Sequence, residues 1–150
     1  HGMSATPESA VSNEGAAGRD PLDRLADAAL ALAATALVLL ALVEMQTPEG
    51  PVADEWSVWL EFWNEARRRR AWRERNREIY ADWVGWLAEI VRHGVAGGHF
   101  RADVDVDDFA RPFAALVDGL AIQCLLDPGP EHRWQMRRTL VELVDRELAP

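Results

Sequence analysis

The stretch from Ala102 to Gly129, ADVDVDDFARPFAALVDGLAIQCLLDPG, restricts the fold more than any other part of the chain. Val106, Phe109, Phe113, Leu116, Val117, Leu120 and Cys124 recur at three- and four-residue steps, so on an α-helix they make one broad apolar stripe. Ala110, Ala114, Ala121 and Leu125 lie beside that stripe and leave little of the circumference for water. A helix apolar on two sides needs two neighbours, one in its own domain and a second that can be another subunit. Its ends are legible as well. Asp105 precedes the first periodic residue, with Asp108 in the first turn, where carboxylates satisfy free N–H groups and favour the positive end of the dipole. Asp127-Pro128-Gly129-Pro130 stops it, since proline cannot continue the ladder and glycine permits the reversal.

The rest of the chain reads in the same period. Pro21 after Asp20 suits a first helical position, and the pattern predicts a helix to about residue 44. Within it, the uncharged run Ala28 to Val43 is short for a membrane span and follows an acidic segment, so it reads as a core helix. Gln46 to Ala53, dense in Pro and Gly, reads as a loop. Further helices are predicted over residues 54–71, 72–95 and 131–148, with Gly97-Gly98-His99-Phe100 as a connection. No segment alternates with period two, so no sheet is expected. The last two helices, joined by Asp-Pro-Gly-Pro, form an antiparallel hairpin that could pair with a symmetry mate as an intersubunit four-helix bundle. The fold expected is an all-α antiparallel bundle of about five to six helices. Residues 1–20 are small and polar and read as a disordered leader, with His1-Gly2 ahead of Met3 as a cloning remnant; residues 21–150 read as one domain.

Charge narrows the function classes. With 25 acidic against 16 basic residues, net −9, the chain is poorly suited to wrap a polyanion by itself. The single cysteine, Cys124, excludes an internal disulfide and fits a reduced, cytoplasmic protein. The run Arg67 to Arg70, continued by Arg73, Arg75 and Arg77, is interleaved with Glu61, Glu65, Glu74 and Glu78 and reads as a solvated helical junction. Asp103-x-Asp105-x-Asp107-Asp108 starts like a calcium loop, yet Asp108 stands where glycine is required. His93, His99 and His132 lack metal-ligand spacing, no P-loop, dinucleotide or hydrolase motif is present, and neither a metal, a cofactor nor catalysis is expected.

Two features point toward a binding site. Seven tryptophans occur in the 150 residues, and Trp56, Trp59, Trp63, Trp83 and Trp86 sit on two adjacent segments, where large rings either fill a core or wall a cavity. Asp118 and Gln123 interrupt an otherwise apolar helix, either to hydrogen-bond between helices or to anchor a ligand.

The segment WLEFWNEA from Trp59, followed from Glu74 by ERNREIYADWVGWLAEIVRHGVAGGHF and on to the Asp-Pro-Gly stop, resembles the C-terminal regulatory domain of TetR/AcrR-type transcriptional repressors. The likeness rests on Gly94, Gly98, Phe100, Arg101, Asp103 and Asp105 in one loop, and on Leu116, Asp118, Gly119, Leu120 and Gln123 in the following helix. It implies an α-helical homodimer paired through its last two helices, a small hydrophobic or aromatic effector in a cavity of each subunit, and DNA contact through a basic helix-turn-helix domain. By that resemblance, Trp59, Phe62, Trp63, Tyr80, Trp83, Phe113 and Val117 are expected at the cavity, and Ala114, Ala121, Leu125, Met136, Leu140 and Val144 at the dimer interface. Residues 1–20 do not resemble a helix-turn-helix. The expectation is therefore either a regulatory domain whose head has been removed, or a headless module that binds ligand or sequesters a full-length regulator.

Overall fold

The computed structural model describes Leu22 and residues 37–150; the expected leader over residues 1–20 and the expected helix start at Pro21 lie outside them. Among the described residues the chain forms five helices and no strand: α1 Leu37–Gln46, α2 Pro51–Arg68, α3 Arg70–Ala96, α4 Val106–Leu126 and α5 Pro130–Leu148. α4 packs against α2, α3 and α5. This is the all-α bundle expected from the periodicity.

The junctions have local causes. Gly50 adopts φ 54°, a left-handed value that suits glycine, and Pro51 follows with a ring that presets the first helical φ. The loop expected up to Ala53 is therefore confined to residues 47–50, and α2 starts at Pro51. Thr47 Oγ1 donates to the Val43 carbonyl at 2.7 Å, and Trp56 Nε1 donates to the Gln46 carbonyl at 2.8 Å, which fastens α2 to the end of α1. Arg69, extended at φ −117° and ψ 127°, separates α2 from α3 inside the arginine run. Its guanidinium meets Glu65 at 2.7 Å. Asp105 caps α4 by accepting from the Asp108 N–H at 3.0 Å, as the sequence predicts. At the end of α3 the carbonyl of Gly94 accepts from the N–H groups of His99 and Phe100 at 2.8 and 3.1 Å, bringing the Phe100 ring so close that a Cβ on Gly94 would collide with it.

Leu39, Leu42 and Val43 of α1 join Leu87 and Val91 of α3, Phe109, Phe113, Ala114, Val117 and Ala121 of α4, and Met136, Leu140 and Leu148 of α5 in one core. The uncharged run expected as a core helix is described from Leu37 onward, and it buries only one side: Leu37, Val38 and Leu40 are exposed. Of the residues expected at an interface on α4 and α5, most lie inside the single chain. Ala114, Ala121, Met136 and Leu140 are each 0% exposed within the single chain, so they present no surface to a mate. Met136 Sδ lies 3.9 Å from Cys124 Sγ, showing that the inner stripe of α5 closes on α4. Leu125 and Val144 are half-buried against the same core. The apolar stripes of the two helices bury each other first, and what remains outside is a different line: Ala115, Gly119, Ile122 and Leu126 on α4, Trp134 and Val141 on α5.

Candidate functional site

On α2 the tryptophans at 56, 59 and 63 fall on one helical face, because steps of three and four residues return to the same side. On α3, Asn76, Ile79, Tyr80 and Trp83 obey the same rule. Where these faces diverge they enclose a cavity of about 280 Å³, closed by Met45, Gln46, Val52, Glu55 and, from α4, Asp118. That is near the lower end of small-molecule sites, roughly 300–1,000 Å³, so the occupant is small.

The rings brace one another. Trp63 lies 6.1 Å from Trp56 and 6.3 Å from Trp59, centroid to centroid, and Trp83 stacks on Trp86 at 5.5 Å. Trp56 is locked further by its bond to the Gln46 carbonyl. A wall held this way is preorganised, which lowers the ordering cost of binding.

Among the described residues the charged groups that line the cavity are both acidic, Asp118 and Glu55, beside the neutral polar Gln46, Asn76 and Tyr80. Asp118 has no hydrogen-bond or ion-pair partner among the described residues, and burial pushes its carboxyl up to about 6. The Tyr80 phenol is raised as well, by burial first and by Asp118 second, with Arg111 opposing. Indole faces carry negative quadrupole potential and attract a cation within about 6 Å, and an ionised Asp118 adds a Coulomb attraction. Such an arrangement can hold a small organic cation whose charge needs no hydrogen bonds. Cys124, by contrast, is buried with its thiol pushed up by burial, and among the described residues no histidine lines the cavity that could activate a nucleophile. Among the described residues no group of three or more potential ligands is placed to hold a metal ion.

Of the residues expected at the cavity, Trp59, Trp63, Tyr80 and Trp83 lie on its wall. Phe62 does not: its ring packs on Trp59 at 5.6 Å and Trp72 at 5.4 Å, outside the lining. Phe113 and Val117 do not line it either; both are core residues, and Phe113 stacks on Phe109 at 5.3 Å. The lining also includes Trp56, Ile79, Asn76 and Glu55. Of the two polar interruptions on α4, Asp118 reaches the cavity and Gln123 is exposed. A polar residue on an apolar helix was the available signal for Asp118, and nothing local distinguished it from Gln123.

The family model described as BetI-type transcriptional repressor, C-terminal, matches residues 36–149. No curated protein matches the chain. Among solved structures the chain is similar to a protein from Saccharomonospora viridis described as a transcriptional regulator in complex with choline. The two share 31% identity and a TM-score of 0.67, over 86% of this chain and 71% of that one.

Proposed function

From the premise that this chain belongs to the BetI-type family of TetR-like repressor C-terminal domains, we propose that its aromatic cavity is the effector site of a regulator and that the effector is a small cation with an alkylated ammonium head. One observation carries the reading: Trp56, Trp59, Trp63, Trp83 and Tyr80 converge with Asp118 on a cavity that, among the described residues, no basic side chain lines. A quaternary ammonium cannot donate hydrogen bonds, so ring faces and a carboxylate are the groups that replace its hydration. The similar regulator from Saccharomonospora viridis was solved with choline, a molecule of this class. The hydrophobic effector implied by the resemblance is narrowed by Asp118, because a neutral apolar guest would leave a half-buried carboxyl without a partner.

The domain is proposed to act as a homodimer in the cytoplasm, paired through the outward line of Ala115, Gly119, Ile122, Leu126, Trp134 and Val141. DNA contact falls to a helix-turn-helix domain, which helices α1 to α5 do not constitute. Calorimetric titration with choline and with its uncharged isostere 3,3-dimethylbutanol tests the effector class. Choline should bind about two- to thirtyfold more tightly from cation attraction by the aromatic faces alone, about 0.5–2 kcal/mol, and more where Asp118 is ionised. Equal affinity for the two would refute the cation reading.

A further inference from the structure

A second recess lies on the far side of two residues that also wall the aromatic cavity. Asn76 and Tyr80 are common to both, and beyond them Arg73, Arg77 and Arg92 of α3 face Arg111 and Asp107 of α4 across a groove of about 530 Å³. Arg92 is held by Glu89 and by Asp107, the latter at 3.5 Å. Arg73, Arg77 and Arg111 have no carboxylate partner among the described residues. Arg70, Arg75, Arg137 and Arg138, by contrast, each reach a glutamate, and what sets Arg73, Arg77 and Arg111 apart is that they share one groove. Arg73 and Arg77 stand four residues apart on one helical face, so their like charges disfavour the empty arrangement. An anion between them and Arg111 turns that repulsion into attraction, and guanidinium forks match phosphate and carboxylate oxygens in pairs.

We propose that this groove binds the phosphate or carboxylate group of a small molecule between Arg73, Arg77 and Arg111. A small anion is favoured over a polyanion because the remaining surface is predominantly acidic and repels an extended chain of phosphates. The site does not depend on what fills the aromatic cavity. However, the shared wall of Asn76 and Tyr80 puts the two recesses side by side, and the Tyr80 phenol feels Asp118 from one and Arg111 from the other. The anion can thus arrive free, or as the acidic end of a molecule whose ammonium head occupies the cavity.

The experiment is calorimetric titration of the full chain at low ionic strength with inorganic phosphate, choline and phosphocholine, on wild type, Arg77→Ala, Arg111→Ala and Arg67→Ala. Arg67 has no ion-pair partner among the described residues and lies outside the groove, so its variant controls for net charge. Phosphate should bind wild type and Arg67→Ala equally, and at least about tenfold more weakly to each groove variant, while choline affinity changes little. Phosphocholine binding about tenfold more tightly than phosphate or choline assigns the anion to the same molecule as the head. Phosphocholine binding no better than phosphate assigns a free anion. Phosphate and phosphocholine affinities unaffected by Arg77→Ala and Arg111→Ala would overturn the proposal, and loss of choline binding alone would overturn only the cation reading of the cavity.

Discussion

Asp118 offers the sharpest test, because the same carboxylate should weaken the empty domain and strengthen the occupied one. Burial raises its pKa from 3.8 to about 6, so the folded chain holds that proton more tightly than the unfolded chain. Its contribution to stability is therefore fully present below about pH 4 and is lost as pH rises through about 6. A shift of that size corresponds to about 3 kcal/mol, and since the carboxyl keeps partial contact with water, screening reduces it to about 1–2 kcal/mol. Asp118→Asn removes the ionisation and should raise the melting temperature of the empty protein at pH 7.5 by about 4 °C.

A bound cation reverses the sign. An ionised Asp118 in partial contact with an ammonium group contributes about 1.5–3 kcal/mol, so Asp118→Asn should weaken choline about ten- to a hundredfold at pH 7.5. At pH 5 only about a tenth of Asp118 is ionised in the empty site, and wild-type affinity should fall about tenfold from its value at pH 7. Tyr80 is raised and keeps its proton throughout, and Glu55 lines the cavity as the second carboxylate, so Glu55→Gln serves as the control for rim charge. Calorimetry at pH 5, 6, 7 and 8 in buffers of different ionisation enthalpy checks all of this, with release of about half a proton per choline expected near pH 6. Wild-type affinity that is flat between pH 5 and 7, or an Asp118→Asn variant that keeps the wild-type pH profile, would refute the assignment. A variant that loses both stability and binding would show damage to the fold instead.

Trp63 touches both of its tryptophan neighbours, and Trp63→Leu should weaken choline by about 0.5–2 kcal/mol while affecting the uncharged isostere far less; equal losses would make the ring a volume filler. Gly94→Ala forces a methyl group into the Phe100 ring and should destabilise by about 1–3 kcal/mol in urea unfolding, whereas Gly85→Ala, with open space around it, should not. Leu140→Ala opens the core of a single chain and should cost about 2–5 kcal/mol, whereas Leu126→Glu at the outward line should yield a folded monomer by light scattering. A dimer that survives Leu126→Glu with unchanged affinity would move the interface elsewhere.

What could be read in advance follows the range of the interactions involved. Helix boundaries depend on neighbours a few residues away, and so Asp105 as a cap and the Asp127-Pro128 stop match the structure, whereas the break expected between residues 71 and 72 falls at Arg69, inside the arginine run. Pro51 falls in a stretch that reads as loop because Pro48 and Gly50 flank it, yet the left-handed φ of Gly50 turns the chain so that Pro51 starts α2. The cavity depends on which faces of α2 and α3 meet. Seven tryptophans leave open whether the rings fill a core or wall a cavity, and the structure divides them: Phe62 turns to Trp72, and Trp56 turns inward because of a hydrogen bond to a carbonyl ten residues back.

The stripes of α4 and α5 show where periodicity loses its power. Ala114 and Met136 are as apolar as Ala115 and Trp134, and a helix with two apolar sides does not say which side its own chain covers. The partner decides: Met136 and Leu140 fill the inner side of the hairpin, so the small outer residues Ala115 and Gly119 are left at the surface, where the absence of bulk allows another helix to approach closely. Asp118 obeys the same logic. Its polarity was visible from the sequence, but its role follows from lying one position before Gly119 on the flank between the core and the outer line, where α2 and α3 diverge and leave a carboxyl facing tryptophans. Had those helices closed over it, a buried carboxyl without a partner would cost about 1–3 kcal/mol, so the opening beside Asp118 is a condition of the fold as well as of the site.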